Sequence, residues 1–315
     1  MSNGAATGFD RHYVGVSPQL LARVRQNWSA LGLDLDVAWR DSIATLPGFA
    51  GPEGLRRGPD SWPVDLLMLF DQGCCWANAL RVGALALRDA PQEGRLTPEQ
   101  LEGLVAVSSR LREAAAAVRA LALAGLARPG MQIARSVSED VELALALLVR
   151  RKLARAFVAC RTPEDAADFW RRHVAGGRAF RLVAQALYRF GLDYTEDSEY
   201  VRWRREVLVF LGSAVHTSFI GVGQSGDGCG PLGPAAQECL YFATVRLQEL
   251  CAYALVLGDD LRADLEALAA PQGPAATHVA LLVRGGGVVI DQMRWLTEAQ
   301  SADAPKHARG RAAVN

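Results

Sequence analysis

Four polar side chains share one face of an otherwise apolar helix predicted for residues 131–160. At 100° per residue, Arg135, Ser138, Glu139 and Glu142 fall within about 100° of one another. Arg135 and Glu139 are spaced i,i+4 and can form an ion pair. A helix this apolar is mostly buried, and a buried charge without a partner costs several kcal/mol. The stripe therefore predicts a paired polar cluster inside a helical bundle, where Arg135 could also hold an anion.

A second polar pair lies on the helix predicted for residues 198–217. His216 follows Ser213 by one turn and lies in the most apolar part of this helix. Histidine is suited to general-base work near neutral pH, but taken alone this pattern favours a core histidine bonded to Ser213 or a carboxylate. Taken together, the two helices predict that Arg135, Glu139, Ser213 and His216 converge in one candidate catalytic cluster. Loss of Glu139 would then strand a buried Arg135, at about 3–5 kcal/mol.

The segments 135–139 (RSVSE) and 213–216 (SAVH) resemble a bacterial all-α family known as a domain of unknown function. Members of that family typically show R-[ST]-x-x-E on a central apolar helix and S-x-x-H near the end of a later helix. The resemblance covers about residues 66–220. It implies a helical bundle in a cytosolic bacterial protein, without an established activity. By position, Arg135, Glu139, Ser213 and His216 match the recurrent polar residues of the family.

The same family is similar in style to the helical HEPN-like domains of toxin and phage-defence systems. Those domains cut RNA with an R-x(4–6)-H motif, which puts both side chains on adjacent turns of one helix. None of the five histidines here has an arginine five to seven positions before it. Arg205 precedes His216 by eleven residues, or about 16.5 Å along a helix. We therefore expect no RNA cleavage of the HEPN type.

Three functions stay open at this point. The first, which we favour, is a binding or regulatory protein with a polar pocket between helices. The second is a nuclease-like or hydrolytic enzyme of a toxin or phage-defence system, with His216 as general base and Arg135 holding an anion. The third is a structural partner whose helical surface docks another protein. Exposure of His216 beside Arg135 in an open cleft would favour the first two.

No pattern in the chain predicts a cofactor or a metal site. None of the histidines has a Glu or His partner three or four residues away, as helical metal sites require. Residues 221–226 spell G-x-G-x-x-G, but a helix precedes them where the dinucleotide fingerprint needs a strand. Asp259, Asp260 and Asp264 resemble part of an aspartate-rich metal motif, although their place after Gly258 fits helix capping better.

Basic residues are concentrated between residues 150 and 205, where thirteen face seven acidic ones. The whole chain is neutral, with 34 basic and 34 acidic side chains, so total charge gives no sign of a partner. No recognisable set of aromatic residues is interleaved for base stacking, so a solvated helix face is favoured over a nucleic-acid surface. The candidate nucleic-acid contacts are Arg150, Arg151, Arg155, Arg202 and Arg205.

The elements that carry these residues are helical nearly throughout. Segments rich in Ala, Leu, Arg and Glu alternate with short Gly/Pro breaks, which predicts an all-α multi-helix bundle with an N-terminal helical extension. The pairs Thr97-Pro98 and Thr162-Pro163 are strong helix starts. We divide the chain into an N-terminal extension and loop (1–61), a bundle (62–300) and a flexible tail (301–315).

The sequence also predicts a cytoplasmic protein. The N-terminal sixteen residues lack the apolar segment of a signal peptide. No apolar run reaches the roughly 18 residues of a membrane span, so a membrane is not expected as a partner. The six cysteines show no paired spacing, which favours reduced thiols.

Overall fold

The computed structural model describes residues 8–49, 61–90, 94–194, 198–215, 230–268, 274–288, 291–292, 294–295 and 298. Within these ranges every regular element is a helix, which confirms the predicted all-α class. The elements are α1 (Gly8–His12), α2 (Pro18–Ala30), α3 (Leu35–Ser42), α4 (Trp62–Arg88), α5 (Pro98–Leu123), α6 (Ala127–Val149), α7 (Arg151–Val158), α8 (Pro163–His173), a 3₁₀ turn (Ala175–Gly177), α9 (Arg178–Tyr188), α10 (Glu199–Val215), α11 (Pro234–Leu257), α12 (Asp259–Ala267) and α13 (Pro274–Arg284).

Four long helices, α4, α5, α6 and α11, form the centre of the fold. Each packs against its neighbours in the order α4–α5–α6–α11 and back to α4, which closes a four-helix bundle around one apolar core. Helices α5 and α6 run antiparallel: Gln100 at the start of α5 donates to the carbonyls of Leu147 and Leu148 at the end of α6, at 2.9 Å. Gly73 lets α4 approach α11, because a Cβ there would lie 2.7 Å from the Cβ of Leu247.

The other helices form layers around this bundle. Helix α7 packs on α5, α9 and α10 pack on α6, and α13 packs on α4. The short helices α1 to α3 contribute Phe9, Trp28 and Trp39 to the same continuous core as the bundle. The N-terminal layer is therefore joined to the bundle by shared apolar burial as well as by polar contacts.

A buried polar cluster fastens the N-terminal layer to the bundle. Asp71 on α4 accepts from the guanidinium Nε of Arg119 on α5 at 3.0 Å and from the hydroxyl of Tyr13 at 2.5 Å. Arg119 also contacts His12 Nε2 at 2.7 Å. Because arginine can only donate, His12 Nε2 accepts and the imidazole is neutral. Burial is the main reason why the pKa of His12 falls to about 4.

Local sequence signals placed several helix ends correctly. Both predicted capping boxes form, at Thr97 with Gln100 and at Thr162 with Asp165. The adjacent glycines at 176–177 predict a break in the helix that follows Thr162, and the break is present, with φ of 65° and 71° that glycine tolerates. The sequence offers Asp197 or Ser198 as the cap of α10, and Ser198 accepts from the amide of Val201.

Other boundaries differ from the sequence prediction. The helix expected over residues 131–160 is two helices, because Arg150 leaves the helical conformation with φ −136° and ψ 92°. Helix α6 also begins at Ala127, since Pro129 lies in the first turn, where its missing N–H is tolerated. Ser17 before Pro18 predicts a capped start of α2, but the Ser17 side chain makes no cap bond, and its amide instead donates to Asp65 at 2.7 Å.

Helix α11 has the length and apolar composition of a membrane span. By these two criteria the expectation that the chain has no such segment is wrong. Within the protein, 61% of its apolar window is buried, as in the core helix of a bundle. Two of its side chains, Arg246 and Glu249, are charged and buried inside the protein. Its role in this structure is that of a central bundle helix.

The cluster around Asp71 predicts a strong stability effect. Asp71→Ala leaves Arg119 buried without its carboxylate, so we expect the free energy of unfolding to fall by about 3–5 kcal/mol. The double change Asp71→Leu with Arg119→Met should cost less than the sum of the two single changes, measured by urea unfolding. Asp259→Ala, which removes an exposed ion pair with Arg262, is the matched control and should have little effect. Additive losses in the double variant would contradict the buried pair.

The lowered pKa of His12 predicts a pH-dependent contribution to stability. The folded value of about 4 lies below the unfolded value of about 6.5, so protonation favours the unfolded chain. The contribution is therefore present above pH 6.5 and is lost as the pH falls towards 4. The variant His12→Gln keeps an acceptor for Arg119 but cannot be protonated. Its free energy of unfolding, relative to that of the wild type, should therefore be ~2 kcal/mol higher at pH 4.5 than at pH 7.5. Groups that titrate alike in the variant and the wild type cancel in this comparison of unfolding free energies. A difference between the two proteins that stays the same at both pH values would contradict the prediction.

Candidate functional site

A large cleft opens between α6, the segment from the end of α8 through α9, and α10. Its volume is about 1690 Å³, which exceeds that of an ordinary small-molecule pocket. The two glycines at positions 176 and 177 turn the chain between α8 and α9 and so allow both helices to line one wall. The break at Arg150 likewise lets Lys152 and Leu153 on α7 reach the cleft.

The floor of the cleft rests on a buried cluster of charges, of which Glu142 and Arg204 line the cleft itself. Glu142 on α6 accepts from Nε of Arg204 on α10 at 3.1 Å, with a second contact from the same guanidinium, and from Arg246 on α11 at 3.2 Å. Arg246 also bonds Glu249 on its own helix and donates to the hydroxyl of Tyr200 at 2.7 Å. Two carboxylates thus face two guanidinium groups, and the cluster joins α6, α10 and α11.

The electrostatic environment of this floor is strongly perturbed by burial. Burial raises the pKa of the Glu249 carboxyl, and the charge of Arg246 opposes that rise. Burial alone would lower the pKa of Arg246, but the surrounding Glu249, Tyr200 and Glu142 outweigh it and raise that pKa. Arg246 therefore stays charged and holds the floor together. Arg204 is further held by the ring of Phe180, 4.0 Å from its guanidinium carbon.

The walls and rim carry an excess of positive charge. Eight Arg and Lys side chains line the cleft against three carboxylates. Some of the cations are engaged: Arg204 is paired with Glu142, and Arg178 and Arg181 donate to backbone carbonyls. Arg150, Lys152 and Arg205 are exposed and make no ion pair with any residue that the structure describes. These three cations are available to a ligand.

Aromatic and polar groups complete the lining. Trp170 is 44% exposed and its indole N–H points to Glu139 Oε2 at 3.4 Å, while Tyr188 is 66% exposed. Both rings line the cleft. Ser138 is only 1% exposed, and its hydroxyl has no hydrogen-bond partner among the described residues. A buried unpaired hydroxyl that lines a cleft is a group that a bound polar ligand could satisfy.

The structure places the predicted site residues only in part. Arg135 and Glu139 both line the cleft and pair with each other, Nε to Oε1 at 3.6 Å. Their side chains are 37% and 30% exposed, so the expectation of a buried pair is wrong; they lie at the rim, one turn above the buried Glu142. Helix α10 brings Gly212 to the cleft beside Arg135. The side chain of Ser213 and all of His216 lie outside the described residues, as do residues 221–226.

The basic residues expected to face nucleic acid divide into two groups. Arg150 and Arg205 line the cleft. Arg151 approaches Asp260 at 3.8 Å and Arg155 approaches Glu99 at 3.6 Å, so both face the other side of α7. Arg202 is exposed and does not line the cleft.

Several site residues escaped the sequence patterns. The partners of Glu142 lie 62 and 104 residues further along the chain, and no local spacing connects them. His173 at the end of α8 lines the cleft and packs against Phe169, with ring centroids 4.9 Å apart. Asp140 is buried against α5, away from the cleft; Arg110 contacts it at 2.9 Å, but burial still raises its pKa to about 7. For Asp140, the sequence signal was a carboxylate within an otherwise apolar stretch of helix.

Potential metal ligands do not cluster among the residues that the structure describes. Asp264, considered above as a metal ligand, instead accepts from the amides of Arg95 and Leu96 at 2.7 and 2.9 Å. Asp259 pairs with Arg262. The expected capping by these aspartates is not seen: the N-cap of α12 is Gly258, and no side-chain cap bond forms at this helix start.

Comparison with known proteins found no matching family model, no matching curated protein and no matching solved structure.

The contrast between floor and rim predicts unequal effects of two similar changes on one helix. Glu142→Gln removes the charge shared by Arg204 and Arg246, and we expect a loss of about 3 kcal/mol in the free energy of unfolding. Glu139→Gln, its matched control one turn away, removes a half-exposed pair and should cost less than about 1 kcal/mol. Urea unfolding of both variants measures the difference. Equal losses, or a larger loss for Glu139→Gln, would show that the floor is not the structural centre of the cleft.

Proposed function

We propose that this chain is a cytoplasmic bacterial binding protein whose cleft between α6, α9 and α10 holds an anionic ligand. The observation that carries the proposal is the excess of basic side chains around a 1690 Å³ cleft in a chain of zero net charge. Because the buried Arg246 is neutralised by Glu249 and Glu142, the free positive charge of the cleft lies at its rim. An anion in the cleft would meet Arg150, Lys152 and Arg205 without breaking an ion pair of the described fold.

The enzyme alternative has less support. A nuclease-like or hydrolytic protein of a defence system would need His216 beside Arg135, and His216 lies outside the described residues. Arg135 is engaged with Glu139. The similarity to the helical family of unknown function, and through it to HEPN-like domains, supports a helical bundle and adds no geometry that favours cleavage. Binding therefore stands as our proposal.

A polyanion without bases tests the proposal directly. Inorganic polyphosphate should stabilise the wild type, by about 2.7 kcal/mol when it is present at 100 times its dissociation constant. The double variant Lys152→Gln with Arg205→Gln should lose most of this effect, because both side chains are exposed rim cations and neither holds the fold together. Thermal unfolding with and without the polyanion is the measurement.

Arg40→Gln is the matched control for this experiment. Arg40 is an exposed arginine on α3, away from the cleft, and contacts Asp41. The control should respond to polyphosphate as the wild type does. Stabilisation of equal size in the cleft variant and the control would place any binding elsewhere and overturn the proposal.

A further inference from the structure

The cleft is elongated along α6. Its lining extends from Arg135 near the middle of the helix to Arg150 at its C-terminal end. Fifteen residues at 1.5 Å each correspond to about 22 Å. Unpaired cations lie on different walls of the cleft: Arg150 and Lys152 where α6 ends, and Arg205 on α10, next to Arg204, which bonds Glu142 about midway along this length. This arrangement suits a chain of negative charges better than a single compact anion.

Aromatic rings lie among these cations. Trp170 comes from the end of α8 and Tyr188 from the end of α9, and both expose a large fraction of their surface while lining the cleft. The exposed faces of this tryptophan and tyrosine place apolar surface in water, and a ligand stacked on them would bury that surface. Ser138 adds a buried hydroxyl without a described partner in the same cleft. A ligand that fits must combine negative charge, flat rings and hydrogen-bonding groups.

We infer that the cleft binds single-stranded nucleic acid, with phosphates at Arg150, Lys152 and Arg205 and bases stacked on Trp170 and Tyr188. This inference rests on the proposed function and names its ligand class. A positively charged groove with exposed aromatic rings is the arrangement by which single strands are bound without sequence readout. Duplex DNA is disfavoured because its stacked bases cannot reach the two rings. An acidic protein segment would use the cations but would have no need of the aromatic side chains.

Fluorescence anisotropy of a labelled 15-nucleotide oligothymidylate tests the inference. The wild type should bind it more tightly than a duplex of the same length, with an affinity that falls as salt rises by about 0.7 log units per log unit of salt for each phosphate contacted. Lys152→Gln and Arg205→Gln should each reduce that slope by about 0.7. Arg40→Gln should leave both affinity and slope unchanged.

Stacking is tested separately from charge. Trp170→Ala and Tyr188→Ala should each weaken binding of the oligothymidylate by about fivefold or more, and Trp170→Phe should recover most of the affinity. Neither ring is part of the buried core, so thermal midpoints without ligand should change little. The same two alanine variants should bind inorganic polyphosphate as the wild type does, because polyphosphate has no bases.

The outcomes separate this inference from the proposed function. Cleft-dependent binding of polyphosphate without binding of the oligothymidylate, or oligothymidylate binding that ignores Trp170 and Tyr188, overturns the inference and leaves an anion-binding cleft. Equal affinity for polyglutamate and the oligothymidylate also overturns it. Failure of both polyphosphate and oligothymidylate to bind removes the proposed function and the inference together.

Discussion

The compensation of charge inside an apolar bundle is the constraint on which the cleft depends. Glu142 is buried, and the transfer of a carboxylate from water into such surroundings costs several kcal/mol unless cations and donors replace the water. Arg204 and Arg246 provide that replacement, and they come from α10 and α11. Satisfying one carboxylate therefore fixes the positions of three helices. With α10 held against α6 in this way, the space between α6, α9 and α10 remains an open cleft above the charged floor.

The same rule operates a second time between α4, α5 and the N-terminal layer. Asp71 is compensated by Arg119 and by the hydroxyl of Tyr13, so α4, α5 and the N-terminal layer are tied at one point. The Trp39 indole donates to the Tyr13 oxygen at 3.2 Å, which extends the network into α3. Both clusters are largely buried. Each can thus specify which helices meet, a role for buried charge pairs that goes beyond the net stability they contribute.

Local chemistry explains what the sequence could and could not predict. The helix ends at Thr97, Thr162 and the glycines at 176–177 are set by residues within four positions of one another, so the sequence alone predicts them. The i,i+4 spacing likewise predicted the pairing of Arg135 with Glu139, although not its exposure, which depends on how α8 and α10 pack. Arg150 breaks a helix without any Gly or Pro, and Glu142 finds partners far along the chain. Both features are set by tertiary packing, for which a single sequence has no periodic signal.

The two kinds of arginine in this protein also explain why composition concealed the cleft. Arg119, Arg204 and Arg246 are buried opposite carboxylates, and their charge is cancelled inside the fold. Arg150 and Arg205 are exposed at the cleft with no ion pair to a described residue, so their charge acts on solvent and on whatever enters. A neutral chain can hold a positive cleft because its charges are sorted by burial and position rather than by number. The count of 34 basic and 34 acidic side chains includes buried and exposed arginines alike. Only the packing of α6, α9 and α10 distinguishes the exposed arginines of the cleft from the buried ones.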